Sequence, residues 1–468
     1  MSDKFELSDD FFEEIEINYN PDDFDDSDIA EAMEEIRRYQ AERVFHDDYL
    51  RFMSNFSYNN EIPCEILFFC HLSLVTKDLP ITFNGKPVQM KIHFNWQQDS
   101  STGKGEAFRE YIRTTNEYSK ITDKPIVISQ LDGSESTASY YNDFQQVKGK
   151  YKFDLAAYPY HLGVFERSDL IVVEECSYFF VEKRGQQQTK AEVMLKALDD
   201  EPIEKTLKCW ENRATITIPN FQLLTETRKI EEVQGTLAQS GFLQRQIPFF
   251  RNVTSEESDQ MIERDFASMD IGEERVKQLE LERRRIAKKL LDIRIWMKMH
   301  NTFSFENEKE AFAIIGKTSR DIKKKIFDTL YASEHKEIAE SFRRRMPKKM
   351  MTFFILNAAM KKRNKITRVD VLEITKLFNK IFDALLLWIE QSIDENRFQK
   401  QRRMFLFNQI KRWKAEGKTT VEFDALVSIM TNKTGYSEKY CRELIRKYSE
   451  GEKSFFIVDK GKQLVTLR

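Results

Sequence analysis

Between Val88 and about Phe250, four short apolar runs (Val88 to Phe94, Pro125 to Ser129, Leu170 to Val173 and Ala214 to Ile218) alternate with segments of helix length and mixed polarity. Parallel neighbours in a sheet need a crossover of a dozen residues or more, and a helix is the usual crossover. Residues 86–250 are therefore expected to form an α/β domain on a mostly parallel sheet. Residues 37–85 read as helices leading into that block. Residues 251–395 hold almost no Gly or Pro and read as consecutive amphipathic helices, an expected helical lid. Residues 396–468 carry a helix, helix, helix, hairpin rhythm. Leu406, Ile410 and Trp413 share one face, Phe423, Leu426, Val427 and Met430 a second, and Tyr440, Leu444, Ile445 and Tyr448 a third. With two strands joined at Asp459 to Lys462, this is the order of a winged helix-turn-helix.

Composition narrows the chemistry. Five cysteines stand singly, with no C-x-x-C pair, so neither a zinc module nor a disulfide framework is readable and a reducing, cytoplasmic setting is expected. No run of about 18 apolar residues exists, which argues against a membrane span. The net charge of −3 hides an asymmetry: residues 1–36 hold fifteen Asp/Glu against Lys4, whereas residues 397–468 carry seventeen Lys/Arg against eight Asp/Glu. An acidic leader ahead of a basic C-terminus is common in nucleic-acid proteins, although a solvated tail and a solvated basic surface fit the same counts. Phe11, Phe12 and Ile15 within the leader suit either a disordered tail or a short segment for a protein partner.

Three motifs inside the α/β block carry chemistry. The loop Asp99-Ser-Ser-Thr-Gly-Lys-Gly-Glu106 follows the first apolar run and precedes a helix pattern. In a P-loop, backbone N–H groups and the positive end of the next helix surround phosphates and one lysine supplies charge. Asp99, Ser101, Thr102, Gly103, Lys104, Gly105 and Glu106 are thus candidate ATP contacts, with Lys104 central. Gln98 stands where the first glycine is expected, and Gly105 replaces the usual Ser/Thr magnesium ligand. A polar surface loop is the plainer reading. Next, Glu174 and Glu175 end a buried strand, as the Mg2+ and water-activating carboxylates of a P-loop ATPase do; strands leaving a core also often end in charges. Last comes a polar-tipped strand from Ala214 to Asn220.

Further residues resemble a family. Gly133-Ser-Glu-Ser-Thr-Ala-Ser139, Leu162 to Glu175, the helix from Thr189 to Leu198, the hairpin Glu201 to Glu211, the strand Thr215 to Asn220, Gly241-Phe-Leu-Gln-Arg245 and Ile366-Thr-Arg-Val-Asp370 together resemble the AAA+ motor of minichromosome-maintenance (MCM) helicases. They are also similar to primase-associated ATPases of phages and plasmids. The resemblance covers about residues 60–468 with every motif degenerate, has no counterpart of the family's zinc ribbon and oligonucleotide-binding barrel, and implies a divergent relative of viral or plasmid origin in a prokaryotic cytoplasm or nucleoid. It implies an AAA+ P-loop sheet, a helical lid and a C-terminal winged helix assembled as a hexameric ring on DNA. Glu175 would activate water, Asn220 would sense the γ-phosphate, Arg245 would reach the neighbouring subunit's ATP, and Lys348 or Arg345 would supply the lid's charge.

For DNA, cations on loops can follow a phosphate backbone without reading bases. Lys148, Lys150, Lys205 and Lys208 fall on two such insertions. Lys439, Arg442 and Arg446 occupy the recognition-helix positions, and Lys460 and Lys462 the wing. Loop anchoring and protein contacts remain equally open uses of these residues. The expected function is an ATP-dependent DNA helicase or translocase, with a nucleotide-switched DNA-binding initiator, loader or regulator as the alternative.

Overall fold

The structure is a computed structural model of the 468-residue chain. It describes residues 42–131, 140, 143–144, 160–174, 176, 187–227, 241–330, 336–389 and 406–467, with short interruptions inside those ranges that include 99–101, 207–213, 264–271 and 460–463.

Five strands build the central sheet: β1 (Phe94–Gln98), β2 (Ile128–Leu131), β3 (Leu170–Val173), β4 (Gln222–Thr227) and β5 (Ile247–Arg251). Their order is β5-β1-β4-β3-β2, and every neighbouring pair is parallel. The fold is therefore α/β, as the alternation of short runs and helices implies. Two strands lie elsewhere than expected. β1 begins where the run Val88 to Phe94 ends, and Ala214–Thr217 pairs antiparallel with Ile203–Thr206 outside the sheet. The sheet strand is Gln222–Thr227.

The reason is a set of polar side chains buried in the sheet. Asn95, Gln97, Thr225, Thr227 and Gln246 are all buried. Asn95 Nδ2 donates to Thr225 Oγ1 at 2.6 Å and to Thr227 Oγ1 at 3.1 Å, Gln97 Nε2 donates to Asn95 Oδ1 at 2.8 Å, and Thr225 Oγ1 donates to Gln246 Oε1 at 3.0 Å. A buried polar group without a partner costs roughly 1–3 kcal/mol, so strands with such residues hold together only when paired in register with one another. By hydropathy alone they read as loop.

One face of the sheet carries α1 (42–53), α2 (Glu61–Thr76) and α3 (Lys104–Ile121). Helix α2 is buried along almost its whole length, which explains its apolar run from Ile66 to Val75. His71 within it is fully buried: its Nδ1 lies 2.8 Å from Tyr49 Oη, its Nε2 lies 3.1 Å from Thr115 Oγ1, and its ring stacks on Tyr111. After α4 (Gln187–Leu198), the 27-residue α5 (Glu273–Met299) runs across α3, and Arg283 clamps the buried Glu110 at 2.9 Å.

The expected lid region, 251–395, continues with α6 (Glu308–Thr329), α7 (Lys336–Met360) and α8 (Arg368–Trp388). Thr367 and Asp370 close a capping box at the start of α8, and Asp370 also receives the buried ammonium of Lys361 at 2.9 Å. A small sheet (Lys365–Ile366, Thr302–Phe305, Thr82–Phe83 and Lys86–Pro87) ties lid to N-terminal segment, and α8 packs against β5. A single hydrophobic core consequently runs from Phe45 to Ile389.

A second core belongs to the C-terminal unit alone. There β6 (Thr420–Glu422), β7 (Phe456–Asp459) and β8 (Leu464–Leu467) form an antiparallel sheet in the order β6-β8-β7 beside α9 (Phe423–Thr434) and α10 (Glu438–Ser449). Strand β6 is an addition to the expected hairpin, too short and too polar to register as a strand. No described helix is long and apolar enough to cross a membrane.

Burial pushes the imidazoles of His71 and His93 down from 6.5 to about 3. His93 Nδ1 accepts the Leu223 N–H at 3.0 Å, a role open only to an unprotonated nitrogen. The unfolded chain takes up protons below about 6.5 that these folded histidines refuse, so their contribution is complete above that pH and is lost as pH falls towards 3. Chemical denaturation at stepped pH is expected to show stability falling by about 1.4 kcal/mol per pH unit for each histidine over that window. His93→Asn is expected to flatten the slope by about one proton.

Candidate functional site

All five strands point the same way, so their C-terminal ends share one edge of the sheet. In open α/β sheets the crevice beyond that edge is where ligands bind. Lys104 stands there as the first residue of α3, buried, with Nζ donating to the Gln98 carbonyl at 3.0 Å. Gly103 caps the helix at φ +84°, in the left-handed region, and a Cβ there would meet Ser57 Oγ at 3.2 Å. The glycine is thus required both by its backbone and by the close approach of the α1–α2 turn. Asn60 fastens that turn, its Nδ2 donating to Thr102 O at 3.1 Å, and Gln98 Nε2 reaches the same carbonyl at 3.3 Å. Gln98, where a glycine was expected, is therefore a buried part of the loop's own bonding. Arg251, at the end of β5, donates to Asn60 Oδ1 at 2.8 Å and pairs with Glu257.

Carboxylates occupy the same edge. Val173 and Thr225 are registered partners, so Glu174, just past the end of β3, and Glu226, on β4, follow at the same edge of the sheet. Glu226 Oε1 stands 4.0 Å from the position a Cβ on Gly105 would take. Glu174 is exposed. A lysine at a helix N-terminus beside paired carboxylates can hold an anion together with a hard divalent cation. Among the described residues no group of three or more His, Cys, Asp or Glu is poised to hold a metal, and Glu175 lies outside them. Asp99, Ser101, Lys148, Lys150, Lys208, Lys460 and Lys462 also lie outside the described residues. Thr102, Gly103, Lys104 and Gly105 come together as the spacing implies, while Glu106 pairs with Arg109.

Asn220 requires a correction. It precedes β4 and so sits at the N-terminal edge, opposite Lys104; its N–H donates to Phe165 O and its carbonyl accepts from Lys77. The strand Ala214–Thr217 on which the expectation rested belongs to the outer ribbon. At the C-terminal end of β4 stand Glu226 and Thr227, the latter 2.7 Å from Cys176 Sγ. Sequence reasoning missed Glu226, Arg251 and Asn60, which carry no local motif and converge only through the sheet.

Arg245 ends the helical turn before β5, also at the N-terminal edge, where Nε donates to Asp199 at 2.8 Å. The five residues of β1, roughly 16 Å, separate that edge from Lys104. Lys348 is exposed on α7, whereas the adjacent Lys349 donates to the Gln246 carbonyl and lies over the Phe342 ring. Burial holds the Lys349 ammonium well below its usual pKa, helped by Arg345 and Arg245. In the C-terminal unit Lys439 is exposed, Arg442 pairs with Asp424 and Glu438, and Arg446 lies over the Phe423 ring. Lys205 lies on the outer ribbon.

Compared with the models of known protein families the chain matches none, and no curated protein resembles it significantly.

The two loop glycines should respond oppositely to a methyl group. Gly103→Ala is expected to lose about 1–2 kcal/mol in urea unfolding, from the left-handed backbone and the Ser57 contact. Gly105→Ala, where the nearest atom is the flexible Arg109 tip at 3.4 Å, should be neutral or stabilise by up to about 1 kcal/mol.

Proposed function

We propose that the chain is a P-loop ATPase of the AAA+ type that works as a ring on DNA. The observation that carries this reading is the strand order β5-β1-β4-β3-β2 with Lys104 opening the helix after β1, the arrangement such ATPases use. The residues at the loop fit ATP and Mg2+: a glycine-turned helix N-terminus, a buried lysine and two carboxylates at the same sheet edge. Mg2+ would supply charge neutralisation at the phosphates. Lys104 holds phosphate charge, Glu174 and Glu226 offer the cation its oxygens in place of the hydroxyl that Gly105 lacks, and Glu175 takes a proton from the attacking water. Arg245 supports a ring: it lies at the opposite edge from its own Lys104, so it could serve only a neighbour's site. ATP-driven movement on DNA is the favoured use. A nucleotide-switched initiator, loader or regulator is the second reading, favoured by Gly105.

Lys104→Ala is expected to abolish nucleotide binding. Glu175→Gln should retain binding and slow hydrolysis by about 10²–10⁴-fold, and Glu226→Gln should raise the Mg2+ concentration needed for half-maximal turnover. An equimolar mixture of Lys104→Ala and Arg245→Ala chains should regain turnover, because some boundaries then carry both intact groups; a mixture as inactive as its components would sink the ring mechanism.

A further inference from the structure

Helix α6 buries one face and gathers exposed cations on the opposite one. Ala311, Thr318, Ile322 and Ile326 point into the core against α7 and α8. At about 100° per residue, the outward face is marked by Lys309, Lys317, Arg320, Lys323 and Lys324, all exposed. None of the five forms an ion pair among the described residues. Asp321 and Asp328 stand at the edge of this face, each roughly 40° from the cation four residues before it, Lys317 and Lys324, so cations outnumber acids there, while Glu308 bonds Asn84 and Glu310 pairs with Arg368. Two phenylalanines bracket the cations, Phe312 at 53% and Phe327 at 50% exposure. Gly316 leaves a notch between them, with the Arg320 guanidinium 3.8 Å from where its Cβ would be. From Lys309 to Phe327 the face is about 27 Å long.

We infer that this face of α6 binds the phosphodiester backbone of single-stranded DNA, with Phe312 and Phe327 as stacking surfaces for bases. The inference names a contact surface for the DNA partner and rests on that part of the proposed function. An excess of unpaired cations on one face supplies sequence-independent affinity, and exposed aromatic rings add stacking that any base satisfies. A lipid surface is a poorer match, because an interfacial helix inserts a broad apolar face and the apolar face of α6 is occupied by α7 and α8. The C-terminal unit offers less, since Arg442 is engaged by Asp424 and Glu438 and Arg446 by Phe423.

The test uses the full chain and a labelled 20-nucleotide single strand, followed by fluorescence anisotropy over a salt series. The triple variant Lys317→Glu, Arg320→Glu, Lys324→Glu is expected to weaken binding at least about tenfold and to flatten the log K against log salt slope by about 2, near 0.7 per lost phosphate contact. Phe312→Ala with Phe327→Ala should weaken binding at an unchanged slope, and both variants should keep the parent melting temperature. Parent affinity and slope in the triple variant overturn the inference. So does binding of a residue 1–36 peptide, or of phosphatidylserine vesicles, that the triple reversal abolishes while DNA affinity stays intact. Nucleotide binding is measured in parallel: if it is absent while the DNA effect is present, the ATPase reading falls and the α6 surface stands.

Discussion

The parallel alignment of β1 with β4 is the constraint on which the molecule depends. It is held by backbone pairing from Phe94 to Gln97 against Leu224 to Thr227 and by the hydrogen bonds of Asn95 to Thr225 and Thr227 between the same strands. A one-residue slip would leave amides and hydroxyls buried without partners, which is far costlier than a slip between aliphatic strands. Specificity of register, more than stability, is what a hydrogen-bonded ladder adds to a buried sheet.

That register places the chemistry. With all strands running one way, Lys104, Glu174, Glu226 and Arg251 reach a common edge although they come from four distant parts of the chain. The same rule sends Arg245 and Asn220 to the other edge. The N-terminal turn matters as well: Ser57 and Asn60 press on Gly103 and Thr102, so the loop is shaped from outside by a segment with no motif of its own. The lid reaches the same sheet through Lys349 and α8.

Charge is divided by burial. Several interior ions are paired, as in Glu110 with Arg283 and Lys361 with Asp370 and Glu373, and they fix how helices cross. An unpaired interior charge would cost several kcal/mol. Cations without such partners collect on the outward face of α6, where solvation costs them little and a polyanion can use them.

Much of the plan was legible in the amino-acid sequence. The alternation of runs and helices gave the α/β class, Leu170–Val173 stood out as a buried strand, and Lys104 fell at a helix start. These are signals of short range, set by periodicity, capping and burial of aliphatic side chains. Tertiary structure alone decided the rest. β1 and β4 were hidden because buried polar residues look like loop until their partners are known, and Asn220 was misplaced for that reason. Glu226, Arg251 and Asn60 became part of the site only when the strand order brought them to Lys104. The cation-rich face of α6 emerged only when α7 and α8 had covered the other side, since no local pattern tells a lysine left to solvent from one drawn into an ion pair.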